Sequence, residues 1–194
     1  MAGSSPTRER ILDAAAVVLA ERGIAGATTR ELARAAGCSE ALLYKHFADK
    51  QELFIAVLDE RMPRIEFDEA ASPELDAMLR ELVVAILAFF VRTFPMAASI
   101  FGAPELLAEH RDGVRSRGFG PEGVVRRVQA LLESRRAAGG IRADADLETA
   151  ARMLVGFAFH RAFLSAYAGE SAVPGAEALA ERGVALVLPA LAPR

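Results

Sequence analysis

The sequence is poor in the residues that build disulfides, metal clusters and polycationic surfaces. Its 194 residues include one cysteine, three histidines and two lysines. A single cysteine permits no internal disulfide, which is typical of proteins in a reducing compartment, and excludes a zinc cluster made of cysteines. The histidines, His46, His110 and His160, are too scattered to predict a metal site. We therefore expect neither a metal nor a cofactor.

The sequence also lacks the segments of membrane or exported proteins and the motifs of common enzymes. Its longest apolar run, LVVAILAFFV at residues 82–91, is about half of what a membrane-spanning helix needs. The first ten residues, MAGSSPTRER, contain no apolar core of the signal-peptide type. There is no nucleophile elbow and no phosphate-binding loop. These absences predict a cytoplasmic, non-enzymatic protein with no membrane segment.

Positive charge is scarce as well, and it is unevenly placed. The formal net charge is −3, with seven basic and six acidic residues over 7–50 but sixteen basic and twenty acidic residues over 51–194. Both lysines, Lys45 and Lys50, lie in the first segment. Because bulk binding of a polyanion needs many cations, any contact with nucleic acid should come from a few residues of the N-terminal part.

Apolar residues, 53% of the chain, are abundant and recur at helical spacing, with no convincing alternation of period two. The pattern predicts an all-α protein with an N-terminal domain over 6–62 and a larger helical C-terminal domain over 63–194. The boundary lies where MPRIEFDEAASP, residues 62–73, interrupts the pattern with two prolines and three acids. The first helix is predicted over 6–22, with Gly23 ending it.

Three helix starts in the N-terminal domain carry capping signals. TTRE at 28–31 is a capping box, in which Thr28 caps the second helix and Glu31 bonds back to it. Ser39 is placed to cap the third helix. DKQE at 49–52 repeats the device for a fourth helix, with Asp49 as the cap and Glu52 at the third helical position.

Longer helices are predicted in the C-terminal domain. The first begins at residues 72–73 and is expected to end near Phe94, before Pro95. The segment 146–168 is apolar on nearly all sides, which predicts a helix buried on more than one face. A last long helix is expected over 176–191.

Two short helices joined by a glycine-containing turn, after a supporting helix, are the layout of a helix-turn-helix. In the turn AAGCSEA, residues 35–41, Gly37 supplies the backbone freedom of a sharp corner. Leu43 and Phe47, four residues apart, are expected to anchor the third helix. The residues left facing outward are Glu40, Ala41, Tyr44 and Lys45.

Residues 11–53 resemble the DNA-binding head of the TetR family of bacterial transcriptional repressors. The resemblance depends on TT before the second helix, A-x-x-A-G-x-S across the turn, L-Y-x-H-F in the third helix and K-x-x-L opening the fourth, in ungapped spacing. The C-terminal domain is similar only in length, helical character and a long apolar penultimate helix. An all-α fold with a helix-turn-helix at about 28–47 is implied.

The resemblance also implies a set of contacts with double-stranded operator DNA. Phosphate contacts are expected from Thr28, Thr29, Tyr44 and Lys50. Contacts with base edges are expected from Arg30, Glu40, Ala41 and Leu42. The remaining members of the contact set are Ser39, Lys45 and His46.

Two positions of this set depart from the family pattern. Family members often carry a basic or amide side chain where this chain has Glu40. A carboxylate can only accept hydrogen bonds, so the amino group of a cytosine is its natural partner. Leu42 stands where a small polar residue is common, and either contacts a thymine methyl group or packs inward.

Structural roles stay open for several of these residues. Tyr44 is otherwise a surface aromatic, Lys45 a solvated charge and His46 the donor or acceptor of a structural hydrogen bond. Cys38 is either a small turn residue or, through an intermolecular partner or sulfenic acid, a redox sensor. His160 is either a satisfied core histidine or a ligand anchor.

In the C-terminal domain the resemblance implies an apolar cavity for a small-molecule effector. Each phenylalanine there also suits an ordinary core. The candidate ligand residues are Phe89, Phe90, Phe94, Phe101, Phe119, Phe157, His160, Arg161 and Phe163.

Together these features predict a homodimeric repressor that pairs through its last two long helices and leaves its operator when a small apolar or amphipathic ligand binds. Two heads of such a dimer lie about 34–36 Å apart in successive major grooves. An activator or a ligand-free regulator with the same head remains open. So does a helical small-molecule-binding protein or enzyme with a vestigial head, because the head is nearly neutral.

Overall fold

The computed structural model describes residues 5–61, 65, 67–68, 74–116 and 122–193, and all regular structure within them is helical. The predicted all-α fold is confirmed. The described residues form nine helices, α1 Pro6–Gly26, α2 Thr29–Ala35, α3 Glu40–His46, α4 Lys50–Glu60, α5 Leu75–Phe101, α6 Pro104–Ser116, α7 Gly123–Ala137, α8 Leu147–Tyr167 and α9 Ala176–Leu191.

The described residues divide into two compact units. The first unit contains residues 5–61 together with Thr93–Ser116, and the second contains the described residues of 65–92 and of 122–193. The boundary predicted between residues 62 and 63 lies outside the described residues. The domains at 6–62 and 63–194 therefore stay a prediction, and in the structure residues 93–116 group with the N-terminal helices.

The first unit is built on the apolar stripe of α1. The four residues expected on this stripe, Ile11, Ala15, Val18 and Leu19, are all buried. Burial at this spacing fixes one face of the helix against α2 and α4. Helical geometry is interrupted at Gly23, where φ is 66° and ψ is 177°, and a last turn continues to Gly26. The predicted end at Gly23 is thus a kink.

Ion pairs hold α1 to the end of α4. The guanidinium of Arg8 donates to both carboxylate oxygens of Glu60, at 2.9 and 2.6 Å. Arg61 donates to Asp13 at 2.7 Å and also to Glu9. The hydrogen bond from Arg8 is the main reason that the pKa of Glu60 lies below its usual value. These ion pairs hold α1 and α4 together, and α2 and α3 are supported by these two helices.

In the second unit α8 packs on α7 and α9. Its buried face is made mostly of small and aliphatic residues, among them Ala151, Leu154, Ala158 and Ala162. The other face stays exposed in the single chain, although it too is apolar. Within the single chain α8 is thus buried mainly on one face, and burial of a further face, which was predicted together with dimerisation, stays a prediction.

Helix α5 does not end near Phe94 as predicted. It continues through Pro95 to Phe101, so this boundary was wrong. A proline inside a helix removes one backbone hydrogen bond and costs about 3 kcal/mol. Burial of Val91 before it and Ile100 after it, at 4% and 5% exposure, offsets this local cost.

Replacing Gly183 with alanine should destabilise the second unit. A Cβ added at this buried position of α9 lies 2.8 Å from the ring of Phe157. Overpacking of this kind typically costs about 1–3 kcal/mol, so the thermal midpoint should fall. Gly123→Ala is a matched control, since no described atom lies within 4 Å of its added Cβ. Equal melting temperatures for both variants would contradict the proposed clash.

Candidate nucleic-acid interface

The starts of α2 and α3 are capped as predicted. At α4 the cap Asp49 is present, but the Glu52 carboxylate accepts from the Ala48 N–H and not from the N–H of Asp49, so the capping box is not repeated there. The Thr28 hydroxyl accepts from the Glu31 backbone N–H at 3.2 Å, while the Glu31 carboxylate accepts from the Thr28 N–H at 3.2 Å. Ser39 accepts from the Leu42 N–H at 3.2 Å. Asp49 accepts from the N–H of the third helical residue at 2.8 Å. Each cap satisfies a backbone donor that the helix start leaves unpaired, which fixes where each helix begins.

The capping box of α2 also lowers the pKa of Glu31. The backbone N–H of Thr28, followed by its hydroxyl and by the charge of Arg22, holds the pKa of Glu31 below its usual value. The Glu31 carboxylate is therefore ionised near neutral pH and remains bound to the start of α2.

The turn between α2 and α3 has the predicted corner at Gly37. Its φ is 62°, and no atom lies within 4 Å of an added Cβ, so the backbone angle rather than crowding calls for glycine. Past the corner, Leu43 and Phe47 are buried as expected. The side chain of Arg10 adds a hydrogen bond from α1 to the carbonyl of Ala36 at 2.9 Å. The third helix is thus held at a fixed angle to the second.

The structure brings the eleven residues of the predicted DNA contact set together on these short helices. Tyr44 is 47% exposed, although it is aromatic. Leu42 is half-buried, so it is neither a core residue nor a fully outward one. The exposed members are Thr28, Arg30, Ser39, Glu40, Ala41, Tyr44 and Lys45, and the half-buried ones are Thr29, Leu42, His46 and Lys50. Their contacts with DNA stay a prediction.

Within residues 5–61 most carboxylates are hydrogen-bonded inside the protein, whereas some of the cations have no partner among the described residues. Seven carboxylates between residues 5 and 61 accept a hydrogen bond from within the first unit, namely Glu9, Asp13, Glu31, Glu40, Asp49, Glu52 and Glu60. Arg8, Arg22 and Arg61 are paired with carboxylates. Arg30 and Lys45, by contrast, form no hydrogen bond or ion pair with the residues that the structure describes.

One contact on this surface was not predicted. The hydroxyl of Thr29 donates to the carboxylate of Glu40 at 2.9 Å, which links the first residue of α2 to the first residue of α3. Nothing in the local pattern points to it, because the two residues lie 11 positions apart and meet only through the turn.

The candidate ligand residues are not brought to one place. Phe94 and Phe101 belong to the first unit, where Phe101 is 71% exposed. Phe119 lies outside the described residues. Of the members in the second unit, the half-buried ones are Phe89, Phe90, Phe157 and Arg161, and the exposed ones are His160 and Phe163.

An aromatic contact in the second unit joins Phe89 and Phe90 to Phe159. The ring of Phe90 lies 5.2 Å from that of Phe89 and 5.2 Å from that of Phe159, in edge-to-face geometry. Nearby in the chain, Nε of Arg161 is buried with no hydrogen-bond partner among the described residues.

The described residues offer neither a membrane span nor a metal cluster. None of their helices has both the length and the apolar character to cross a membrane. Within the same residues no group of three or more His, Cys, Asp or Glu is arranged to hold a metal ion. A surface groove of about 540 Å³ between α1 and α2 is lined by Val17, Arg22 and Arg34 among others, and by none of the candidate ligand residues.

Comparison with known sequences identifies the N-terminal helices. Residues 11–57 match the family model described as bacterial regulatory proteins, tetR family. The chain is 36% identical over 86 residues to the HTH-type transcriptional regulator SrpR of Pseudomonas putida, a match covering 44% of this chain and 40% of SrpR. It is 30% identical over 160 residues to BetI of Rhizobium meliloti, covering 80% of this chain and 75% of BetI. The match to SrpR thus spans less than half of that relative.

Comparison with solved structures extends the similarity over nearly the whole chain. A TetR transcriptional regulator from Agrobacterium tumefaciens aligns with a TM-score of 0.72 at 25% identity, over 98% of this chain and 96% of that one. FadR from Bacillus subtilis, solved with stearoyl-CoA, aligns with a TM-score of 0.66 at 18% identity, over 94% and 98%, which shows a shared fold. With the family model and the match to BetI, these similarities show that the chain belongs to the TetR family of bacterial transcriptional regulators.

Proposed function

We propose that the protein is a homodimeric repressor that binds double-stranded operator DNA through α2 and α3 and leaves it when a small apolar or amphipathic molecule binds the second unit. One observation carries the DNA-binding part. The exposed cations Arg30 of α2 and Lys45 of α3 have no partner among the described residues. By contrast, the arginines of α1 and the arginine that ends α4 all donate hydrogen bonds, namely Arg8, Arg10, Arg22 and Arg61. The phosphates of a DNA duplex are anions that can pair with these two cations.

The roles of individual residues follow from their positions on α2 and α3. Tyr44 and Lys45 lie on the exposed side of α3, where a hydroxyl and an ammonium group suit phosphate oxygens. Arg30 and Ala41 lie near the starts of the two helices, which suits contact with base edges. Leu43 and Phe47 take no part, since both are buried.

The exposed apolar face of α8 supports dimerisation. Met153, Leu164 and Tyr167 follow one side of this helix and are 53%, 40% and 84% exposed. On α9, Leu186 is 80% exposed. Large apolar side chains exposed in a row mark an interface rather than a solvated surface, and a second copy of the chain presents the same self-complementary surface.

The effector is proposed to bind near the aromatic contact of the second unit. Phe90 and Phe159 provide apolar walls. A fatty acyl compound has an apolar chain that matches these walls. The similarity in fold to a FadR solved with stearoyl-CoA agrees with this class of ligand. Release follows only if the ligand binds the DNA-free state more tightly than the DNA-bound state.

A gel shift with the DNA upstream of the protein's own gene tests this function. We expect a retarded band at low salt that weakens steeply as salt rises, because phosphate contacts release counterions. Titration with fatty acyl-CoAs and free fatty acids of increasing length should then release the DNA. No shift at low salt would exclude a repressor of this DNA, and binding that no apolar ligand alters would exclude ligand release. A reporter that gains expression with the protein would indicate an activator instead.

A further inference from the structure

The hydrogen bond between Thr29 and Glu40 gives Glu40 a function that its charge alone does not predict. Its carboxylate accepts from the Thr29 hydroxyl at 2.9 Å, and both residues open their helices. The Thr29 hydroxyl has a single hydrogen to donate. While Glu40 holds it, that hydrogen is not available to a DNA phosphate, although Thr29 stands at an expected phosphate-binding position.

The carboxylate of Glu40 also keeps its charge uncompensated. Its partner is a neutral hydroxyl, and it forms no ion pair with any residue that the structure describes. The carboxylates of Glu9, Asp13 and Glu60 are paired with arginines of the first unit. The surface that carries Arg30 and Lys45 therefore also carries an exposed negative charge held in a fixed place.

A carboxylate fixed on a DNA-binding surface discriminates between DNA sequences and does not add to the attraction for DNA. It repels any phosphate that comes near, and it accepts a hydrogen bond only from a base that offers a donor. Resting on the proposed function, we infer that Glu40, positioned by Thr29, is a specificity-determining residue that weakens binding to non-operator DNA. In this role Thr29 is a positioning residue that acts through Glu40, not a primary phosphate ligand.

Two substitutions separate the charge from the hydrogen bond. Glu40→Gln removes the charge but keeps an amide oxygen that accepts from Thr29. Thr29→Val removes the donor but keeps the charge and the side-chain shape. Thr29→Ser restores the hydroxyl and is the matched control. Equal melting temperatures will show that each full-length variant is folded.

The probes are a pool of random-sequence duplexes and the duplexes that the wild-type chain selects from that pool. Binding is measured by fluorescence anisotropy over a range of salt concentrations. Glu40→Gln should bind the random pool about fivefold more tightly per head at low salt. This factor corresponds to the repulsion between one carboxylate and one phosphate charge in contact in water. The gain should shrink as salt rises, because screening weakens the repulsion.

Thr29→Val should instead bind the random pool no more tightly than the wild type does, because Glu40 keeps its charge. Its selected sequences should lose base preference opposite the start of α3, and Thr29→Ser should recover it. A purely structural role for the bond would lower the melting temperature and leave the selected sequences unchanged.

Identical binding of the random pool by Glu40→Gln and wild type at every salt concentration would overturn the inference, as would unchanged base preference in Thr29→Val. A wild-type chain that binds no duplex at low salt contradicts the proposed function as well. A wild-type chain that binds, together with a Glu40→Gln variant that behaves identically, contradicts only the role of Glu40.

Discussion

Replacing Leu186 with glutamate should yield a folded monomer whose operator affinity is lower by about 100-fold or more. The side chain is 80% exposed in the single chain, so a charge there leaves the core of the second unit intact. In a dimer the same charge is buried against apolar residues of the second copy, which is strongly unfavourable. Loss of pairing makes the two heads bind independently, and linked binding typically contributes about 10²–10⁴ in affinity.

Sedimentation velocity measures the state of association, circular dichroism the helix content and anisotropy the operator affinity. Ala130→Glu is the matched control, because Ala130 is exposed on α7, away from the apolar face of α8 and α9. We expect this control to remain dimeric and to bind as the wild type does. A Leu186→Glu variant that is still dimeric would show that the interface lies on another part of the surface.

The double variant Tyr44→Phe and Lys45→Ala should lower operator affinity by about 10- to 100-fold without lowering stability. Tyr44 is half-exposed and Lys45 has no partner among the described residues, so neither change removes a packing contact of the first unit. Each phosphate that the variant no longer binds should reduce the salt slope of binding by about one. The slope therefore distinguishes weaker phosphate binding from a general loss of folding.

Arg127→Ala serves as the control for removal of one positive charge, since Arg127 is exposed on α7. Its affinity should change little, because a distant surface charge is screened at ordinary salt. If the double variant binds with unchanged affinity and slope, α3 does not bind DNA in the proposed way.

The parts of the fold that local chemistry decides were predictable from the sequence. The capping box of Thr28 and Glu31, the cap at Ser39 and the corner at Gly37 all occur where their residue types require them. Each depends on atoms within a few positions of one another. This is why the starts of α2 and α3, which position the candidate interface, could be placed without a structure.

The parts that depend on distant contacts were not predictable. Pro95 was expected to end α5, but burial on both sides of it outweighs the local penalty. The bond from Thr29 to Glu40 requires the turn to be folded before the two side chains meet. The apolar character of α8 offered no means of telling a face covered by its own chain from one left exposed. The candidate ligand residues share this difficulty, because composition does not tell which direction a phenylalanine faces.

The internal pairing of charges in the first unit has a consequence for how the protein reaches its target in the cell. With a net charge of −3, the chain has little long-range attraction for chromosomal DNA. We expect brief encounters with arbitrary sequence, little one-dimensional sliding and a search dominated by diffusion through solution. We expect a protein that searches in this way to meet its proposed effector mainly while it is free of DNA.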